Sequence, residues 1–407
     1  MERKSLKGIK SIWAFALMLS ASMVVYGQTA EYKRSALIRE LKYNVKDGKY
    51  SSVLNNVQKA MEQYPESTQN DAELYYYNTI AYNNLALAEA RNMYLQSSTD
   101  TAKYFNYVYS MFVNGLKCDS LGNVPNKKGR VDNKYNKEMQ SLFDKNITTI
   151  NSATKYFFQK KDYKKAYDFA DLFITQSDSA DNDVKTASTV AVLSAYSLED
   201  YAKAVKYSEL SLYESNLHEE ILEVVCHCYE QLHDTALYEA RLIDGVKQYT
   251  ANKYFYGSLI SLYNAQNEFR KSLEVINFIL KVRPEDRDLW YIKGTEELYL
   301  NERDSALTSF SKAVQYKVDD AESYANIGNI YLYKSNELYR MEGEAKGSEL
   351  RSIKAELHMT YNNAKNALES ARKYAPEQPD LWLSGLKEIY YKLNMGKELM
   401  ILERTYK

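Results

Sequence analysis

An internal repeat constrains this chain more than any other feature of its sequence. The pattern of aromatic and small residues that begins at Lys253 returns 34 positions later at Arg287, and again 34 positions later at Ala321. Counted backwards, the same spacing reaches Glu219 and Lys185. Five units in register are typical of an array of equivalent supersecondary units, each burying its apolar face against its neighbours. A chain of 407 residues suits such an array, since a single core rarely grows to that size.

The composition and the spacing within each unit predict helices. The chain has only 14 glycines and 5 prolines, fewer than hairpins or alternating strands and helices would need. All five prolines fall between segments whose apolar residues follow the helical period, at positions 65, 125, 284, 376 and 379. Because proline lacks the N–H that continues a helix, this placement indicates an all-α chain.

Small residues and prolines recur at fixed places within the units. They fill the eighth position, the twentieth position and the end of the second helix: Gly294, Gly328, Cys226, Ala204, Ala306, Pro284 and Pro376. This pattern resembles the tetratricopeptide repeat, in which each unit is a pair of helices brought close together by small residues. The resemblance implies an all-α fold, a right-handed α-solenoid of antiparallel helix pairs. Lys293, Val318 and Tyr238 depart from the pattern and weaken single units only.

The two ends of the array fit the repeat less closely and predict two lengthened helical hairpins. Residues 28–119 are interpreted as N-terminal repeat-like units that include one long hairpin, and residues 120–133 as a loop. Residues 134–407 form the main array, with an insertion near 336–362. The insertion keeps helical spacing, so we expect it to add about 12 residues to each helix of a projecting hairpin.

The first 27 residues have the order of a secretory signal peptide. Four cations lie within residues 2–10, and an apolar run begins at Ile12. Residues of small or moderate size stand at the minus-three and minus-one places of a cleavage site after Gly27. No cysteine lies near that site, so a lipoprotein anchor is not expected. The alternative is an uncleaved membrane anchor, although the run is short and is interrupted by Ser20 and Ser22. We expect a periplasmic or secreted protein without a membrane span after cleavage.

Charge and motifs argue against several classes of function. Lys and Arg together number 53 and Asp and Glu number 54, whereas a general nucleic-acid binder needs a basic excess to neutralise phosphates. No glycine-rich phosphate-binding motif occurs, and the four histidines leave few bases for catalysis. We therefore expect no enzyme, no cofactor and no nucleic-acid partner.

One group of potential metal ligands lies between positions 218 and 233. Its members are His218, Cys226, His227, Cys228 and His233. Zinc needs three or four such ligands at one point. On a helix, Cys226 and His233 share a face while His227 and Cys228 point elsewhere. The repeat also explains Cys226 as the small residue between helices, so no metal site is predicted.

The resemblance also implies a ligand-binding groove. In tetratricopeptide-repeat proteins it is lined by the second, fifth, ninth, twelfth and thirteenth residues of each first helix. Carried onto this sequence, these positions give the candidates Glu223, His227, Asn264, Tyr291, Thr295, Tyr299, Asn329 and Tyr333. The asparagine side chain can both donate hydrogen bonds to a peptide backbone and accept them from it, and tyrosine offers a rigid ring with one hydroxyl. The alternative is that these side chains are only solvated surface.

Two classes of function remain open. The first is a non-catalytic scaffold or adaptor of the bacterial cell envelope, which binds a protein or peptide partner through the groove or the projecting hairpins. The second is a binding module for a small molecule or glycan, linked to outer-membrane uptake. Some of the 39 tyrosines would serve the second as stacking surfaces. One architecture supports many functions, so the fold does not choose between them.

Overall fold

A computed structural model describes residues 34–406, apart from 98–99, 124, 126–128, 130, 132, 179–180 and 213–217. Within these residues every regular element is a helix and no strand occurs. The predicted all-α fold of antiparallel helix pairs is confirmed. Contacts divide the chain into two compact units, Met1–Cys228 and Tyr229–Lys407. The predicted signal peptide lies outside the described residues.

The first unit consists of helices joined mostly by short turns. They are α1 (34–46), α2 (Tyr50–Gln63), α3 (Pro65–Thr68), α4 (Ala72–Tyr94), α5 (Thr101–Gly122), α6 (Asn136–Gln159), α7 (Tyr163–Gln176), α8 (Asn182–Ser197), α9 (Tyr201–Lys206) and α10 (Ser208–Leu212). The next helix, α11 (His218–Gln231), contains the boundary between the two units.

The second unit continues the pairing. Its helices are α12 (Thr235–Gln248), α13 (Lys253–Ala265), α14 (Phe269–Leu280), α15 (Arg287–Tyr299), α16 (Arg303–Tyr316), α17 (Ala321–Glu342), α18 (Gly347–Tyr374), α19 (Leu383–Lys392) and α20 (Gly396–Thr405). A short 3-10 helix, Pro379–Leu381, precedes α19. Helices α13, α15 and α17 begin at the three residues from which the repeat was counted, so each starts one repeat.

Helix lengths differ along the chain. Helices α17 and α18 have 22 and 28 residues, against 13 and 14 in α15 and α16. Helices α4 and α5 have 23 and 22 residues. Helix α5 continues to Gly122, so residues 120–122 are helical and not part of the predicted loop. The Asn133 amide donates to the carbonyl oxygen of Asp119 at 3.1 Å and so stabilises this helix end.

Nine of the described helices start at an aspartate or asparagine cap. In eight of them an aspartate, and in α13 an asparagine, accepts a hydrogen bond from a backbone N–H of the first turn. The capping residues are Asp71, Asp100, Asp162, Asp181, Asp200, Asp234, Asn252, Asp286 and Asp320. These side chains satisfy N–H groups that have no partner within the helix, and their charge suits the helix dipole.

The turn from first to second helix repeats with the same period. Glu199, His233, Asn267 and Asn301 are each separated from the next by one repeat, and each has a positive φ. After Asn267, the N–H of Glu268 donates to the carbonyl oxygen of Tyr263 at 2.8 Å. This is the pattern of a Schellman turn, which ends a helix and satisfies its last carbonyls. The repeat therefore fixes backbone conformation as well as side-chain type.

Glycines allow the two helices of a repeat to approach. A Cβ atom on Gly294 would lie 2.9 Å from the ring of Phe310 on α16, and one on Gly328 would lie 2.5 Å from Leu368 on α18. Ala306 is fully buried in the same layer. These contacts explain why small residues recur at the eighth and twentieth positions.

The described helices include none that is both long enough and apolar enough to cross a bilayer. Long helices such as α18 are amphipathic, with an apolar face and a charged face.

Candidate binding cleft

A cleft of about 1000 Å³ opens between α13 and α15, the first helices of two successive repeats. Its apolar lining is formed by Tyr256, Ile260, Leu289, Tyr291 and Ile292, with Gly257 between them. Its polar lining comes from Lys253, Ser261, Arg283, Glu285, Asp286 and Asp288. An apolar cleft with a few polar groups around it is the usual form of a ligand site.

The segment before α15 forms one wall of the cleft and is held in place by three contacts. Arg283 donates to the Tyr256 hydroxyl at 3.1 Å and pairs with Asp286 at 3.2 Å. The Trp290 indole donates to the carbonyl oxygen of Pro284 at 2.8 Å. Since Asp286 also caps α15, the wall is fixed to both helices that border the cleft.

Two tyrosines give the cleft rigid aromatic surface. Tyr256 is buried, whereas Tyr291 is half-buried and packs edge to face on Phe310, with ring centroids 5.7 Å apart. Burial raises the pKa of both phenols above the ordinary value. Both therefore remain neutral and keep a hydroxyl that can donate or accept a hydrogen bond.

The opposite side of α15 is closed by an arginine. Arg287, the first residue of α15, donates through Nε to Asp320 Oδ2 at 2.5 Å, and its NH2 group binds the other oxygen of the same carboxylate. The same NH2 group reaches Glu322 at 3.4 Å. Burial opposes ionisation of Asp320, but the bonds from Arg287 and Ser323 hold its pKa below the ordinary value. The guanidinium thus fastens the start of α15 to the start of α17.

The first unit contains the same clamp. Arg34 donates to both carboxylate oxygens of Asp71, at 2.5 and 2.9 Å, and to Glu73 at 3.5 Å. Asp71 caps α4 as Asp320 caps α17, and the glutamate follows two residues later in both cases. In two separate repeats, an arginine therefore binds the aspartate that caps a following helix.

At the cleft this clamp is missing. The equivalent first position is Lys253, and the equivalent cap and second helical residue are Asp286 and Asp288. Among the described residues, no acidic group lies within ion-pair distance of Lys253. Asp286 pairs with Arg283 and Asp288 with Arg287 instead. Lysine has no planar fork with which to bind both oxygens of a carboxylate, and Lys253 lines the cleft.

The predicted groove residues fall in different places, and only Tyr291 lines the cleft. Thr295 bonds back to the Tyr291 carbonyl oxygen of its own helix at 3.0 Å. Asn264 is half-buried, and its Oδ1 has no hydrogen-bond donor among the described residues. Asn329 is exposed on α17. Glu223 and His227 belong to the first unit.

Tyr299 and Tyr333 pack on the start of the preceding second helix. The ring of Tyr299 lies parallel to that of Phe269, with centroids 4.8 Å apart and an angle of 6° between their planes. Arg303 lies 3.5 Å from the ring centroid of Tyr333. Phe269 and Arg303 occupy the same position in successive repeats. Tyr299 nevertheless remains 70% exposed, which leaves one face of its ring to solvent.

His227 packs between two aromatic rings. Its imidazole meets Tyr196 and Tyr201 edge-on, with ring centroids 5.6 and 5.9 Å apart. Cys226 and Cys228 are buried free thiols, and burial raises the pKa of Cys228 to about 12. Within the described residues, no group of three or more His, Cys, Asp or Glu side chains is placed to hold a metal ion.

Two adjacent carboxylates, Glu296 and Glu297, are buried in α15. Glu296 accepts a hydrogen bond from Ser272 on α14 at 2.6 Å, and Glu297 accepts one from Ser309 on α16, also at 2.6 Å. Burial raises the pKa of Glu296, and the bonds from Ser272 and Asn264 partly offset this. Burial likewise raises the pKa of Glu297. These groups link three helices and do not form part of the cleft lining.

The sequence prediction omits Lys253, Gly257 and Arg283, which shape the cleft. The first two stand at positions one and five of their repeat, so alignment of the repeats could have identified them. Arg283 lies in the turn between repeats, where the periodicity gives no signal.

No family profile and no curated protein matches the chain. Solved structures of the predicted repeat class do match it. The C-terminal part of a tetratricopeptide-repeat protein from Cytophaga hutchinsonii is 16% identical and covers 63% of this chain and 96% of its own, with a TM-score of 0.38. A tetratricopeptide-repeat protein from Parabacteroides merdae is 13% identical and covers 54% of this chain and 78% of its own, with a TM-score of 0.33.

A third match is YrrB, described as a tetratricopeptide-repeat protein with an unusual peptide-binding site. It is 16% identical and covers 46% of this chain and 94% of its own, with a TM-score of 0.32. At these values the likeness concerns the helical repeat fold and carries no information about a ligand of this chain.

Proposed function

We propose that this chain is a non-catalytic scaffold that binds an extended segment of a protein partner in the cleft between α13 and α15. The observation that carries the proposal is the cleft itself, which combines an apolar lining with hydrogen-bonding groups. An extended peptide fits such a site because its backbone needs donors and acceptors while its side chains need apolar pockets.

A matched pair of substitutions tests this proposal. Ser261 is an exposed residue of the cleft lining, and Ser311 is an exposed serine on α16 that is not part of it. We expect cross-linked capture of a stoichiometric partner by the wild-type chain and by Ser311→Trp. Ser261→Trp, which fills the cleft, should lose that capture. Equal capture by the two variants would place the binding surface elsewhere.

The longer hairpin of α17 and α18 is a second candidate docking element within the same function. Its exposed residues include Tyr339, Met341 and Met359. A variant lacking 336–362 should capture the partner as wild type does if the cleft is sufficient. Loss of the partner from this deletion, with the cleft intact, would assign docking to the hairpin.

We also propose that the protein acts in the bacterial cell envelope, after export and cleavage following Gly27. The cation-rich start and the apolar run of the first 27 residues support this placement. Mass spectrometry of the protein from fractionated cells tests it. A mature N-terminus at Gln28 in the periplasmic or secreted fraction is the expected result, and an intact N-terminus in the cytoplasm contradicts it.

One observation favours a small-molecule or glycan ligand as the second candidate function. The exposed face of Tyr299, held flat on Phe269, is a preformed surface for stacking a ring. If this is the function, glycans should raise the melting temperature of wild type but not of Tyr299→Ala, and no protein partner should be captured.

A further inference from the structure

Glycines in the interior of the described helices, away from the first and last residues of each helix, are explained by packing, with one exception. For five of them an added Cβ would approach a neighbouring side chain closer than 3.0 Å: Gly115, Gly245, Gly294, Gly328 and Gly385. The neighbours are Phe143, Phe255, Phe310 and Leu368, all in the buried core. In these five places a larger residue would push two helices apart.

Gly257 differs from all of these. A Cβ atom there would meet nothing within 4 Å among the described residues except Cγ of Lys253, on the same helix, at 4.0 Å. Its φ is not in the left-handed region, so the backbone does not require glycine either. Glycine within a helix costs about 1 kcal/mol relative to alanine. Neither packing nor conformation offsets that cost at this position.

The open space beside Gly257 is the cleft. Gly257 lies in its lining, one helical turn after Lys253, and the residue one repeat later is Tyr291 on the facing helix. Where the next repeat places an aromatic ring, this repeat places only backbone. A missing side chain lets a bound molecule approach the helix closely.

The charges around the cleft leave one cation on this face of α13. Arg283 is paired with Asp286, and Asp288 is paired with Arg287. Lys253 has no ion pair among the described residues and stands four residues before Gly257, so both lie on one face. Glu285, in the loop before α15, also lines the cleft and has no ion pair among the described residues, so a negative charge lies on the wall formed by that segment. A ligand that lies along α13 therefore meets the positive charge of Lys253, whereas one that lies along the segment before α15 meets the negative charge of Glu285.

We propose, resting on the function proposed above, that the cleft selects peptides with a bulky apolar side chain next to an acidic residue. The apolar side chain lies over Gly257 against Tyr291 and Ile260. The carboxylate of its neighbour pairs with the ammonium group of Lys253. Gly257 thus determines the size of the side chain accepted, and Lys253 determines the charge beside it.

Selection from a phage-displayed library of random peptides tests this inference, with the intact protein as bait. Peptides enriched by wild type should carry Phe, Trp or Leu beside Asp or Glu. Binding of a synthetic copy, followed by fluorescence polarisation, should weaken about tenfold or more in Gly257→Leu, equivalent to about 1.4 kcal/mol. Lys253→Glu should instead enrich peptides with Lys or Arg at the neighbouring place.

Gly396→Leu is the matched control, because a Cβ there also meets nothing within 4 Å and Gly396 lies outside the cleft. It should bind the peptides as wild type does, and circular dichroism should show every variant to be folded. Peptides that bind Gly257→Leu normally but fail on Ser261→Trp would overturn the selectivity and leave the proposed function standing. No enriched peptide together with no captured partner would overturn both.

Discussion

The two sides of α15 meet equivalent helices in different ways. Towards α17, Arg287 binds the cap of the next helix and closes the interface. Towards α13, the corresponding residue is Lys253, the cap is bound by Arg283 from the intervening turn, and a cleft remains. The repeat register is the same on both sides. Of these two interfaces, the one with a lysine at the first helical position contains the cleft.

The largest expected effect comes from opening the closed side. Arg287→Ala leaves the carboxylate of Asp320, whose side chain is only 1% exposed, without its cation. Breaking such a pair costs about 3 kcal/mol, because an uncompensated charge stays buried. Urea denaturation should show this loss, and Lys253→Ala, the control on the open side, should change the free energy of unfolding by less than about 0.5 kcal/mol. Equal losses would mean that the clamp contributes nothing to the difference.

Glycine substitutions on the two sides should have opposite signs. Gly294→Ala places a methyl group 2.9 Å from the buried ring of Phe310, so we expect a loss of about 2 kcal/mol. Gly257→Ala enters open space and should raise stability by about 1 kcal/mol, through helix propensity alone. Thermal unfolding of the two variants side by side measures both effects. A loss in Gly257→Ala would show that the cleft is filled in solution.

Lys253→Arg should convert the open side towards the closed one. The planar guanidinium can reach Asp286 and Asp288 as Arg287 reaches Asp320 and Glu322. The cap already has Arg283, so we expect only about 1 kcal/mol of added stability. Peptide capture should fall at the same time. Calorimetric melting and the capture assay test the two parts separately, and unchanged capture with raised stability would argue against a ligand in this space.

The smallest expected effect is the pH dependence of stability that arises from the buried carboxylate of Glu296. Burial raises the pKa of Glu296 above 4.5, so proton uptake favours the folded state. Its contribution to stability is complete below pH 4.5 and is lost as the pH rises through the folded-state pKa. Glu296→Gln should therefore match wild type at about pH 4 and exceed it by about 1 kcal/mol at about pH 7. Equal stabilities at both pH values would show that the carboxylate ionises without penalty.

The sequence predicts the helical frame well because that frame repeats. Lys253, Arg287 and Ala321 begin α13, α15 and α17, since capping residues, apolar positions and turns all follow the same period. The end of α5 is predicted less well. Nothing periodic marks it, and its last turn accepts a hydrogen bond from the side chain of Asn133, which lies well beyond it along the chain.

The site is predicted only in part, and the reason is physical. Tyr291 is identified because a groove position with a large side chain stands out in sequence. Tyr299 and Tyr333 share that signal, but their rings pack on the first residue of the preceding second helix, which is Phe269 for Tyr299 and Arg303 for Tyr333. Gly257 stands at the fifth position of its repeat, which is a groove position, but the space beside it becomes visible only once the surrounding helices are placed. The ion pair between Arg287 and Asp320 joins two repeats, so it cannot be recognised from the sequence of a single repeat.

The left-handed residue between the two helices of each repeat makes this chain divisible. Asn267 and Asn301 have φ values of 59° and 62°, and a glutamate follows each. Joining Asn267 directly to Glu302 would splice two matching backbone conformations and remove one whole repeat period, including α14 and α15. A repeat can therefore be inserted or deleted at these junctions without a change in the backbone conformation of the turn. The cleft between α13 and α15, which two successive repeats form, would disappear in one such deletion while the rest of the array kept its form.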